Sequence, residues 1–348
     1  MNVIEIEKIG SVVSRLGFGR SITVKTNSLT PKAGDVIAVR ALAESVTYGN
    51  LELPTGRLAK IVTGDVLLGA VGNRRALKGF VGEVPETVKA GDRLHLLNMG
   101  GVIGVCKGHH SSFSDAIEVE VEGIACDSDG NILNIGDGAL TPAESLAPTA
   151  PIVMIAGTCM NSGKTVAATE IIKRAANAGL RVAGAKMSGI ACLRDTLHMQ
   201  DNGAFVTASF LDCGLPSTVD HDDLASVAKS ILNHLNSFEP ELIVVELGDG
   251  IVGGYSVEMI LKDEEIRSAI SSFVFCASDY VGVIGGAAVL KDLGINIDVV
   301  AGSVTDSQMG EDYVTEHFGF PAGNARRNGP RLFDLVRKKV NILRPALA

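Results

Sequence analysis

The apolar run Pro151-Ile152-Val153-Met154-Ile155 opens directly into Ala156-Gly157-Thr158-Cys159-Met160-Asn161-Ser162-Gly163-Lys164-Thr165, and this junction constrains the chain more than any other stretch. A buried strand empties into a glycine-containing turn, and a helical pattern opens at Gly163 and runs through Val166-Ala167-Ala168-Thr169-Glu170-Ile171-Ile172-Lys173. Strand, tight turn and helix in that order gather backbone N–H groups at a helix N-terminus, which makes a phosphate cradle. In such a cradle Lys164 reaches the terminal phosphates and the Thr165 hydroxyl sits on Mg²⁺. The strict pattern places a glycine where Thr158 stands, and here the glycine comes one residue early, at Gly157. A chance Gly-Lys-Thr would lack the preceding strand, the Ser-Gly entry and the amphipathic helix that follow one another here. The residues expected to hold a nucleoside triphosphate are Gly157, Thr158, Asn161, Ser162, Gly163, Lys164, Thr165 and Val166.

At 348 residues the chain has room for two domains. With 46% hydrophobic residues, no Trp and 4% aromatics, their cores are expected to be aliphatic. The net charge is −9 and acidic residues outnumber basic ones in both halves, so a nucleic-acid footprint is not expected. No apolar stretch is long enough to span a bilayer and Met1–Lys8 lacks a signal-peptide layout, so the expected location is cytoplasmic. The six cysteines stand singly, without a Cys-x-x-Cys, and read as small buried apolar residues in a reducing compartment. Cys159 lies inside the phosphate loop. Cys106 with His109 and His110 has the look of half a metal site, but no second pair completes it.

Residues 1–140 read as an all-β domain. Short apolar runs at 21–25, 35–40, 65–71 and 117–122 are separated by glycine-rich turns, and the last alternates apolar with acidic residues as a strand with one wet face does. Lys-Ala-Gly-Asp occurs before an apolar run twice, at 32–35 and 89–92, hinting at two similar hairpin units. Such punctuation favours a small barrel or sandwich. Residues 141–151, with three prolines among small residues at 138–151, read as a linker. From 152 to 348 strands expected at 152–156, 180–185, 241–246, 272–277 and 297–301 alternate with helices at 163–178, 222–236, 280–293 and 330–338. The fold class expected is therefore α/β: a mainly parallel, doubly wound P-loop NTPase sheet preceded by a small all-β, barrel-like domain.

Ligands in such sheets bind beyond the carboxyl ends of the strands, which selects three further loops. Leu242-Ile243-Val244-Val245 ends in Glu246, a carboxylate placed to hold Mg²⁺, with Asp249 a weaker candidate and a turn-forming role the alternative. Lys186, at the end of Val182–Ala185, would face an anionic ligand, either a substrate carboxylate or the transferring phosphoryl group; an ordinary surface lysine is the competing reading. In the stretch 194–203, Asp201 or Asp195 could supply another metal carboxylate, although acidic residues are common in polar loops.

Gly157–Thr165 resembles the phosphate loop of dethiobiotin synthetase, with its early glycine; Ala185-Lys186 is similar to that family's second lysine segment, and Val245-Glu246 to its Mg²⁺-binding glutamate. Asp201 before Asn202-Gly203-Ala204 is similar to its other metal aspartate. The resemblance covers about 151–310, and the family's Lys-Pro-Val reads Lys186-Met187-Ser188 here. It implies ATP and Mg²⁺ as cofactors, Lys164 and Lys186 as catalytic lysines, Thr165, Glu246 and Asp201 on the metal, a small-molecule carboxylate or carbamate as substrate, and a homodimer. The expectation is thus an ATP-dependent ligase. The rivals are a nucleotide-dependent adaptor or metallochaperone acting on a protein partner, and a GTP-using cofactor-biosynthesis adaptor.

Overall fold

The computed structural model describes residues 1–340, and the last eight residues of the expected 152–348 domain lie outside that range. The chain divides into two compact units: residues 1–140 with 190–194 and 210–219, and the remainder.

In the first unit five strands pair in a closed ring. They are β1 (Val36–Ala41), β2 (Val66–Val71), β3 (Arg93–Leu96), β4 (Val102–His109) and β5 (Glu118–Ala125). β1 pairs with β2 and β5, β3 with β4 and β5, all antiparallel, while β2 and β4 run parallel and close the circuit. Inward residues such as Ile37, Val39, Leu67, Leu94, Ile103, Val119 and Val121 form one aliphatic cluster.

Three of these strands are entered through the same turn. Asp35, Asp65 and Asp92 donate their backbone N–H to the carbonyls of Lys32, Val62 and Lys89 at 3.1, 3.0 and 3.2 Å. Their side chains accept from the N–H of those same residues at 2.7, 2.6 and 2.9 Å. Gly34, Gly64 and Gly91 have φ of 90°, 98° and 88°, the left-handed third position of a type II turn. The repeat seen at 32–35 and 89–92 thus has a third copy at Val62-Thr63-Gly64-Asp65, hidden because only the Gly-Asp is shared.

The second unit is built on a six-stranded, wholly parallel sheet, so the molecule is mixed α/β. Its longer elements in chain order are β6 (Ile152–Gly157), α1 (Lys164–Asn177), β7 (Val182–Lys186), α2 (Arg194–Asp201), β8 (Val206–Ser209), α3 (Leu224–Asn236), β9 (Leu242–Glu246), β10 (Ile270–Cys276), α4 (Tyr280–Asp292), β11 (Val299–Ala301), α5 (Gln308–Phe318) and α6 (Gly329–Val340), with two six-residue helices, Val257–Lys262 and Glu264–Ala269, between β9 and β10. The order across the sheet is β8-β7-β9-β6-β10-β11. Val153 and Ile155 join Ala167, Ile171, Leu332, Phe333 and Val336 in a core under α1 and α6. Ile152 and Met154, alternating with them, are equally buried, so both faces of the sheet are covered. The chain moves from β6 outward to β7 and β8, returns to β9, then crosses to β10. That reversal puts the loops after β6 and β9 at the switch point where open α/β sheets bind ligands.

Residues 141–151 do not run free. Lys229, Ser230 and Asn233 of α3 donate to the carbonyls of Glu144, Thr141 and Ser145 at 3.2, 2.7 and 3.0 Å, and Asn236 accepts from the Ala150 N–H at 3.0 Å. These positions share one face of the helix, so the proline-rich segment is a strap laid along α3 within the second unit.

Candidate functional site

All six residues of β6 are buried, and the strand delivers the chain to a turn whose shape two glycines allow. A Cβ on Gly157 would stand 2.5 Å from Ser162 Oγ and 2.6 Å from the Cys276 carbonyl oxygen. That is why the glycine falls here. Thr158, at the strict motif position, has no left-handed backbone and needs none. The left-handed residues of the loop are Asn161 (φ 61°) and Gly163 (φ 102°), and Gly163 opens α1 with no side chain capping the helix. The first-turn N–H groups of α1 are therefore directed at the inside of the loop without a side-chain acceptor, the arrangement a phosphate satisfies. Val166 lies in that first turn, and Ser162 is fully buried against Gly157.

Lys164 is buried, and its Nζ donates to the Cys159 carbonyl at 2.8 Å, folding back along the loop it would leave to meet a phosphate. Burial pushes its pKa below the ordinary lysine value, and Lys186 pushes the same way against the opposing pull of Glu246. A desolvated ammonium near a second one is a site that favours an incoming anion. Behind it, burial pushes the Cys276 thiol up to about 12, so this cysteine is an inert packing residue.

Glu246 ends β9 with 1% exposure. Its Oε1 accepts from Thr165 Oγ1 at 2.8 Å and from Lys186 Nζ at 2.7 Å. Its Oε2 is buried and has no hydrogen-bond partner. Lys186 also pairs with Asp195 Oδ2 at 2.8 Å. Burial works against the Lys186 charge, but Asp195 and Glu246 outweigh it and hold the pKa above the ordinary lysine value. Lys186 is thus a fixed cation rather than a surface lysine.

The structure brings together Lys164, Thr165, Lys186 and Glu246, four of the residues singled out from sequence. It does not bring Asp201 to them. Asp201 is exposed at the last position of α2, while Asp195, in the first turn of that helix, touches Lys186. Six residues of helix separate the two carboxylates by about 9 Å along the axis. The aspartate of this site is therefore Asp195. The sequence offered Asp195 and Asp201 alike, because α2, a short polar helix, read as a loop, and the resemblance selected Asp201. Asp249 sits in left-handed backbone (φ 61°) just beyond Glu246.

A carboxylate oxygen left bare in the interior is costly unless something outside the chain completes it. Glu246 Oε2 beside a threonine hydroxyl is an all-oxygen donor set, which suits a hard cation such as Mg²⁺. Among the described residues no group of three or more His, Cys, Asp or Glu side chains is placed to hold a metal by itself. Mg²⁺ commonly takes one or two protein oxygens with the rest from phosphate and water, so this site fits it. The Cys106, His109 and His110 group is otherwise engaged: His109 meets Asp115 at 3.1 Å, His110 meets Ser112 at 2.7 Å, and Cys106 Sγ donates to the Gly108 carbonyl. No helix among the described residues is long and apolar enough to cross a membrane.

No family model matches the chain, and no curated protein matches it. Solved structures similar to it include chloroplast FtsY from Physcomitrella patens, at 13% identity and a TM-score of 0.38 over 58% of this chain and 70% of that one. Cell division protein FtsY from Thermotoga maritima is 14% identical with a TM-score of 0.38 over 59% of this chain and 74% of that one. The signal recognition particle 54 kDa protein from Aeropyrum pernix K1, in complex with GDP, is 17% identical with a TM-score of 0.37 over 59% and 52%. Likeness at this level carries no argument about activity. These neighbours are signal recognition particle proteins and FtsY rather than dethiobiotin synthetases, and the resemblance read from the phosphate loop is corrected on that finding. The homodimer and the carboxylate or carbamate substrate of a ligase were implied by that resemblance.

Proposed function

We propose that the chain is a Mg²⁺-dependent P-loop nucleoside triphosphatase that acts as a nucleotide-dependent adaptor on a protein partner. One observation carries the reading. The hydroxyl following the phosphate-loop lysine, Thr165, donates to the buried Glu246, whose second oxygen is bare, at the mouth of a loop with uncapped helix N–H groups. Ligase chemistry is not part of the proposal.

In this reading the loop from Gly157 to Val166 wraps the polyphosphate through backbone N–H groups, with Thr158, Asn161 and Ser162 shaping the turn. Lys164 releases the Cys159 carbonyl and pairs with the β- and γ-phosphates. Thr165 and Glu246 hold Mg²⁺, with Asp195 beside them; when bound, the metal neutralises charge on the phosphates. Lys186, kept protonated between Asp195 and Glu246, balances charge developing on the transferring phosphoryl group. The base of the nucleotide is left open between adenine and guanine. Residues 1–140 are read as an all-β, barrel-like domain serving the partner, joined by the 141–151 strap to the nucleotide-binding domain at 152–348.

Phosphate release by the full chain with ATP and with GTP tests this. The expected result is Mg²⁺-dependent turnover of one of them, reduced about 10²- to 10³-fold in Lys164→Ala. Turnover unaffected by that substitution, or stimulated specifically by a small carboxylate, contradicts it.

A further inference from the structure

We propose that the first unit carries a carboxylate-binding site of its own, built on the buried guanidinium of Arg74. The inference stands apart from the nucleotide reading, and every residue it uses lies within 1–140.

Arg74 belongs to the short strand Arg74–Arg75, which pairs with Phe80–Glu83, itself paired with β4. It is 2% exposed. The acceptors that meet its guanidinium are neutral: the Leu97 carbonyl, and the Tyr48 hydroxyl at 2.7 Å. Its Nε is buried and has no hydrogen-bond partner. Among the described residues no carboxylate pairs with it, and Asp115, on the loop after β4, pairs with His109 at 3.1 Å instead. Aromatic rings stand around the charge. Arg74 Cζ is 4.8 Å from the centroid of the Tyr48 ring and 5.9 Å from that of Phe80. Phe113 completes a triangle of edge contacts, with its centroid 5.8 Å from each of those two rings.

A buried cation without a counter-charge is costly, and contact with ring faces offsets only part of that cost. An apolar side chain of similar volume would fill the same place more cheaply. The guanidinium makes sense if an anion completes it. Two features of Tyr48 point the same way. The half-buried Tyr48 hydroxyl accepts from Arg74, and its own proton goes to no group among the described residues. Its φ of 52° is left-handed, a costly backbone for a bulky residue and one that collects at ligand sites.

The donors left open are Arg74 Nε–H and Tyr48 O–H. Two donors and one positive charge match the two oxygens of a monocarboxylate, whereas a phosphate brings more charge and a third oxygen with no donor for it. The Tyr48 and Phe113 rings suit an apolar group beside that carboxylate. Because Nε is covered, entry requires the loops carrying Tyr48 and Phe113 to part. Exposed hydroxyls tie those loops: Ser45 Oγ meets Ser114 Oγ at 2.9 Å, and Ser114 Oγ donates to Thr47 Oγ1 at 2.9 Å. Water competes for such bonds, so they yield at small cost.

The test follows the Arg74 Nε–H resonance by NMR in the full chain, nitrogen-labelled on arginine and free of nucleotide. The signal is assigned by its absence from Arg74→Met, or from Arg74→Lys should the first not fold. Benzoate offers the carboxylate on a small molecule, and the peptide Gly-Gly-Phe offers it at a chain end. The expected result is a saturable shift of the Arg74 signal with at least one of them. Tighter benzoate assigns the site to a small ligand, and tighter peptide to a protein terminus. Tyr48→Phe is expected to weaken binding about tenfold, and sodium chloride at equal ionic strength to leave the signal in place. No saturable shift with either carboxylate, tighter binding of inorganic phosphate, or unchanged affinity in Tyr48→Phe overturns the proposal. None of these outcomes bears on the phosphate loop, which nucleotide turnover tests.

Discussion

Lys164 shows how burial and a neighbouring cation can prepare one side chain for a ligand. Its ammonium is desolvated, stands near Lys186, and donates to the Cys159 carbonyl at 2.8 Å and to Ser162 Oγ at 3.5 Å. In the free chain its pKa lies below the ordinary lysine value of about 10.4. A polyphosphate favours the charged form, so binding raises that pKa and takes up a proton once the free lysine has begun to titrate. The sign follows: nucleotide affinity falls as pH rises through the depressed free-state pKa, beginning below about pH 10.4. Titrations of a non-hydrolysable analogue at stepped alkaline pH should show this fall in the wild type and a flat profile in Lys164→Ala. A wild-type profile as flat as the variant's would show that Lys164 does not meet the phosphates. At this scale the sequence was legible where chemistry is local. The loop, Lys186 and Glu246 could all be read from a strand end followed by the right side chain. Asp195 could not be separated from Asp201, because that choice depends on where α2 begins.

Among the elements, the parallel strands of the second unit were plain in the sequence, since strands buried on both faces read as continuous apolar runs such as Leu242–Val245. β8, four residues long at the sheet edge, was not, and neither was β4, whose Gly104, Lys107 and Gly108 dilute its pattern. The Gly-Asp turns were half visible. Their aspartates do unequal work: Asp35 is 6% exposed and also accepts from Asn134 Nδ2 at 2.8 Å, whereas the Asp92 turn bond lies at the surface. Asp35→Ala takes the acceptor from two partly buried bonds, those of the Lys32 N–H and of Asn134 Nδ2, and should cost about 1–3 kcal/mol, and Asp92→Ala nearer 0.5–1.5 kcal/mol. Urea unfolding of the two variants checks the order. Equal losses, or a larger loss for Asp92→Ala, would show that the shared turn rather than the buried network sets the energetics.

For the whole molecule, length and composition leave room for two domains but do not say which later segments pack with the first of them. A proline-rich segment reads as a connector, and Thr141–Ala150 is tied along α3 by Lys229, Ser230, Asn233 and Asn236, polar helix positions that pattern alone assigns to solvent. Likewise Ile190–Arg194 and Phe210–Val219, which follow strands of the parallel sheet in sequence, belong to the first unit. Long-range contacts of this kind leave no local periodicity to read. The phosphate loop also carried less family information than its letters implied, because any strand-to-helix cradle converges on a glycine, a lysine and a hydroxyl for the same physical reasons. The account as a whole turns on what that cradle holds. A crystal structure of the full chain with Mg²⁺ and a non-hydrolysable nucleoside triphosphate should show the polyphosphate inside Gly157–Thr165, Lys164 turned from the Cys159 carbonyl onto it, and the metal on Thr165 and Glu246. A nucleotide bound elsewhere, with the loop closed on itself and Glu246 without metal, would contradict it.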